Sequence, residues 1–138
     1  MSSSRNDKSI FDPVDFYRFA SWLYAKKADN APEELSRAII GRAYYAAFLA
    51  AREAAKVQGS GARIHNEVIA HWLQRNTTIS NRLRDLKLRR EQADYKLDPK
   101  LGDREAGESL CLCENILLAL EKMNAQDIPQ FNHYLKSL

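Results

Sequence analysis

The sequence is poor in the residues that interrupt helices and in those that build disulfide or metal frameworks. Of its 138 residues only 5 are glycine, 4 proline, 2 cysteine and 3 histidine. So little glycine and proline argues against a turn-rich β architecture or a flexible low-complexity chain. The two cysteines, Cys111 and Cys113, stand two positions apart in an apolar helical pattern. Helical positions so spaced point away from each other, which rules out a disulfide between them, and both are expected as small buried hydrophobes. No second cysteine pair completes a zinc framework, and no metal or cofactor is expected. There is no apolar run of ~18 residues, no secretory signal and no alternating β-branched stretch. The expectation is a cytoplasmic protein that makes no use of a membrane.

Apolar residues make up 45% of the chain and charged residues 28%, with a formal charge of +3. That balance suits a helical globule, and the basic excess permits nucleic-acid contact without requiring it. Residues 1–9 are polar and expected as a disordered tail, leaving 10–138 as one domain. Asp12 and Pro13 open a first helix, with Phe16, Phe19, Ala20 and Leu23 as its apolar face. Pro32, Glu33 and Glu34 open a second, ended by Gly59-Ser60-Gly61. Its middle (Leu35, Ile39, Ile40, Tyr44, Tyr45, Phe48, Leu49) is apolar almost all round, which places it at the centre of a bundle or gives it a second partner. A third helix carries Val68, Ile69, Trp72 and Leu73. A fourth follows from Ile79, stopped by Pro99 and Gly102, and a fifth carries Ala106, Leu110, Cys113, Leu117 and Leu120. The segment 127–138 reads as a short capping helix. The fold class is all-α, a four- to five-helix up-and-down bundle.

Chemistry concentrates in "LRDLKLRREQADYKL", Leu83 to Leu97. On a helical wheel Ile79, Leu83, Leu86 and Ala93 form one stripe, and Arg90 falls near its middle. An unpaired buried charge costs several kcal/mol, so Arg90 needs a carboxylate or a wet cleft. Asp94 follows it by four and is within reach. Two readings stand: Arg90 snorkels from the core rim onto Asp94, or the pair lines a functional cleft or dimer groove. Arg82 and Arg89 flank the stripe, while Arg84 and Tyr95 face away. A buried Tyr44 hydroxyl also needs a partner, which Arg90 or Asp94 could supply.

"SRAIIGRAYYAAFLAARE" (Ser36–Glu53), His65 in "RIHNEV", "LRREQADY" (Leu88–Tyr95) and "ILLALEKM" together resemble the HEPN domain, the higher-eukaryote and prokaryote nucleotide-binding family. The resemblance runs over most of residues 33–123. It implies a HEPN-like bundle, commonly a homodimer. It also implies a place in a prokaryotic toxin–antitoxin or defence module, with a minimal nucleotidyltransferase as antitoxin partner. Many such proteins are ribonucleases carrying an Arg followed, after four to six residues, by His. Here no Arg stands in that window before His65, His71 or His133. An aspartate at its ordinary pKa is a poor base for the 2′-hydroxyl, so the missing histidine weakens catalysis. The expected site is a cleft binding RNA, nucleotide or a partner protein through Arg90, Asp94, Tyr95, Arg82, Arg89 and Tyr44. The alternatives are a metal-independent endoribonuclease, with Arg90, Asp94 or His65 as its catalytic residues, and a non-catalytic helical interaction module docking through Tyr44–Phe48.

Overall fold

Local chemistry at the helix ends sets the architecture. A computed structural model describes residues 12–123 as five helices. They are α1 (Val14–Lys26), α2 (Glu33–Ala55), α3 (Arg63–Leu73), α4 (Thr77–Tyr95) and α5 (Asp103–Met123). No strand occurs among the described residues. The expected tail at 1–9, the capping helix at 127–138 and His133 lie outside them. At α1 the Asp12 carboxylate accepts the Val14 N–H at 3.0 Å, and Pro13 already has helical dihedrals of −56° and −27°. Asn76 caps α4 by accepting the Ile79 N–H at 3.1 Å. Glu105 reaches back to the Gly102 N–H at 2.9 Å to open α5.

The end of α2 departs from expectation. The helix stops at Ala55, before the Gly59–Gly61 segment, because Lys56 itself takes the left-handed conformation at φ 59°. The Arg52 guanidinium holds that turn by donating to the Val57 carbonyl at 3.1 Å and to the Gly59 carbonyl. The bonds from Arg52 support a stop at which glycine is usual.

Four long helices alternate in direction around α2. Pro13 lies near Lys56, and Lys27 pairs with Asp103, so α1 runs against both α2 and α5. Arg89 meets Glu108 and Asn76 meets Met123, so α4 and α5 are antiparallel. The short α3 departs from this alternation, lying along α2 with His65 beside Phe48 and the Trp72 indole donating to the Ala51 carbonyl at 3.0 Å.

The core stripes of α4 (Ile79, Leu83, Leu86, Ala93) and α5 (Ala106, Leu110, Cys113, Leu117, Leu120) are buried as their spacing requires. That of α1 is rotated. Val14, Tyr17 and Ala20 are buried, while Phe16 and Leu23 sit at the rim and Phe19 is 46% exposed. α1 packs on α2, whose alanines Ala43, Ala46, Ala47 and Ala50 are fully buried, and the ring it turns inward is that of Tyr17. Phe19 stacks on the exposed Trp22, and Arg42 lies 5.7 Å over the Phe19 ring. Leu73, at the end of α3, is likewise exposed, and so is Cys111, whereas Cys113 is buried.

Leu83 is fully buried where α4 meets the core. Leu83→Ala is expected to cost about 2–5 kcal/mol by transfer and cavity terms together. Chemical denaturation checks this, and a loss well below 1 kcal/mol would contradict the packing described.

Candidate functional site

Arg90 projects from the core stripe of α4 but does not enter the hydrocarbon interior. Its guanidinium carbon lies 5.2 Å from the Tyr45 ring centre, 5.8 Å from Tyr44 and 5.7 Å from Tyr95. Nε donates to the Asp94 carboxylate at 3.0 Å. The Arg90 side chain is 15% exposed and that of Asp94 41%, so the acid closes the outer side of a cation otherwise bounded by rings. Each such cation–π contact contributes about 0.5–2 kcal/mol, more as water is excluded. Burial works against the charge, and Tyr45, Asp94 and Tyr95 more than offset it. Arg90 thus snorkels from the core rim onto Asp94 and keeps an edge in solvent.

His65 joins this group from α3. The Tyr44 hydroxyl lies 2.5 Å from its Nδ1, and the imidazole stacks on Phe48 with ring centres 4.2 Å apart. The partner of Tyr44 is thus His65, and Arg90 contacts the tyrosine through its ring instead. Burial raises the Tyr44 hydroxyl well above its ordinary pKa, so it stays protonated and donates. The tautomer assigned from this bond has a bare Nδ1 and a proton on Nε2. Burial lowers the His65 pKa, and the charges of Arg90, Lys87 and Arg52 lower it further against the opposing influence of Glu91. At neutral pH His65 is a neutral N–H donor beside a guanidinium.

Such a set offers donors and positive charge, which is the chemistry of anion recognition. Abstraction of a proton would need a lone pair at Nε2, and exposing one would reverse the Tyr44 hydrogen bond, with Nδ1–H donating to the hydroxyl oxygen. The other sequence candidates fall elsewhere. Arg89 turns to α5, where its guanidinium meets Glu108 at 3.0 Å, and Arg82, one heptad earlier, shares that side of α4. Tyr95 is 69% exposed yet has its ring against Arg90. His71 packs edge-on to Trp72 at 5.1 Å, away from the cluster. Surface cavities of about 340–600 Å³ lie between α1 and α2, α3 and α4, and α4 and α5, and Arg90 and His65 line none of these. Among the described residues no group of three or more His, Cys, Asp or Glu side chains could hold a metal ion, and no helix is long and apolar enough to cross a membrane.

Sequence reasoning passed over Arg37 altogether. The signal for Arg37 was present: it precedes Tyr44 by seven, so both occupy the face of α2 that looks at α4. Comparison with protein-family models, with curated proteins and with solved structures finds no match to this chain.

The sign of the pH dependence follows from His65. Its folded pKa lies below the unfolded value of 6.5, so its contribution to stability is present above that value and lost as pH falls through the folded pKa. Glu33 and Glu108 are also depressed, by hydrogen bonds to Leu101 and Arg37 and to Arg89 and Arg104, but their contributions are lost only below their ordinary 4.5. Stability is expected to decline in two stages. His65→Gln should lessen the first, which sets in below about pH 6.5 and which His71, depressed by burial and by Arg75, shares, and leave the second. Tyr44→Phe should raise the His65 pKa toward its ordinary value, followed by imidazole NMR titration. An unchanged His65 titration in that variant would contradict the hydrogen bond's role.

Proposed function

We propose that this chain is a HEPN-like bundle of a prokaryotic toxin–antitoxin or defence module that holds an RNA or nucleotide phosphate at the Arg90–His65 patch, binding it without cleaving it. One observation carries this reading: a ring-bounded guanidinium beside a neutral imidazole whose remaining ring proton is a donor. A phosphate oxygen accepts from both, and the exposed Tyr95 ring provides a surface on which a neighbouring base stacks. Lys87 and Arg52 add positive charge near His65. The ordered family-like segments from Ser36 to Met123 support the same assignment, with a homodimer and a minimal nucleotidyltransferase as the partners it implies.

The endoribonuclease reading rests on the same Arg90–His65 pair, assembled across helices where the family has it along one. The donor tautomer of His65 favours binding over cleavage. The two separate cleanly: a binding protein leaves labelled RNA intact in chelator across a range of pH, and a metal-independent nuclease cuts it.

Arg90→Met keeps the hydrophobic stem and removes the charge. It is expected to weaken binding of a fluorescein-labelled RNA decamer by roughly tenfold or more, the contribution of a charge-assisted phosphate contact. Arg104→Ala, which removes an equal charge from the exposed face of α5, should change it little. Equal losses in both variants would mean that only net charge matters, and no binding by the unaltered protein would remove the proposal.

A further inference from the structure

We infer that Arg37 is a positioning residue for the Arg90 patch, fixing from α2 the last turn of α4 on which Asp94 and Tyr95 stand. This deepens the phosphate-binding reading and rests on it for its consequence in ligand affinity. The carbonyls of a helix's final turn have no partner within the helix and concentrate negative potential. The final turn of α4 holds no basic residue of its own, and its C-cap Lys96 is extended at φ −109° and ψ 130°. Arg37 supplies what that end lacks. Nη1 donates to the carbonyls of Gln92 at 3.1 Å, Ala93 at 2.9 Å and Lys96 at 2.8 Å, and Nη2 donates to Pro99 at 2.8 Å. Nε is held by Glu33 at 2.9 Å, and the same carboxylate oxygen accepts the Leu101 N–H at 3.0 Å.

One guanidinium thus pins the backbone from residue 92 to 99, and its carboxylate partner extends the hold to 101. Asp94 and Tyr95 lie inside that span. Tyr44 and Tyr45 approach Arg90 from α2, whereas Asp94 and Tyr95 approach it from the pinned turn. Fraying of the turn would leave the cation its rings on α2 and strip its acid and its third ring. A planar fork that satisfies several carbonyls at once is a property of arginine; lysine in its place keeps the charge and loses the geometry.

Arg90 itself reports on this. In Arg37→Gln the Nε–H proton of Arg90, followed by nitrogen-15 NMR without any ligand, should exchange with water about tenfold faster as its bond to Asp94 opens. Arg37→Lys should restore only part of the protection. Affinity for the fluorescein-labelled RNA decamer should fall on the order of tenfold, the cost of ordering one or two side chains during binding. In an Asp94→Ala background the Arg37 substitution should add little to that loss. Unchanged Arg90 exchange in Arg37→Gln would overturn the inference, as would an affinity loss as large with Asp94 absent as with it present. If Arg37→Gln does not fold, Glu33→Gln, which keeps the guanidinium and removes its carboxylate partner, carries the same exchange measurement and the same two outcomes. A protein that binds no RNA would end the functional reading while the ligand-free exchange still decides the role of Arg37.

Discussion

A guanidinium in the apolar stripe of a helix is tolerable only if something other than water receives it, and the structure around Arg90 answers that requirement. Tyr44 and Tyr45 give it aromatic faces from α2, Tyr95 gives it another from its own helix, and Asp94 neutralises its outer side. Meeting those needs places three tyrosine rings and an acid around one cation, with His65 bonded to the first of those tyrosines. Stability and chemistry therefore draw on the same side chains. A leucine at this position would satisfy the core and remove the cation that Tyr45, Tyr95 and Asp94 surround.

α2 is the element through which these demands meet. Its buried alanines bring α1 close, its tyrosines face Arg90, and its first turns carry the Glu33–Arg37 pair that reaches the end of α4. His65 completes the group from α3 by accepting from Tyr44, which sets the imidazole as a donor. Burial and three neighbouring cations then keep it uncharged. Donors and positive charge thus stand together with an imidazole whose basicity burial and those cations reduce, the basis of the phosphate-binding proposal.

The heptad-like spacing of Ile79, Leu83, Leu86 and Ala93 made the α4 stripe legible, and with it the place of Arg90 and the i, i+4 reach of Asp94. Periodicity reports contacts along one helix, so it carried no information on which face of α1 the alanines of α2 would select. Of the expected stripe of Phe16, Phe19, Ala20 and Leu23, Ala20 is buried, while Val14 and Tyr17 take the inner places expected for the others. The bond from Tyr44 to His65 spans 21 residues and the reach of Arg37 to Pro99 spans 62, and both depend on how helices are set side by side. The stop at Lys56 was hidden for a related reason, since a side chain from the preceding turn did the work that glycine usually does.

The central claim is that Arg90 and the tyrosine shelf stabilise each other, and a double-mutant cycle measures that directly. Arg90→Met, Tyr45→Leu and the combined variant, unfolded by denaturant under identical conditions, isolate the coupling between the cation and the nearest ring. Mutual stabilisation predicts a coupling free energy of about 1 kcal/mol, retained at high salt because the ring face is poorly screened. Strict additivity, with the two single losses summing to the double, would contradict the account.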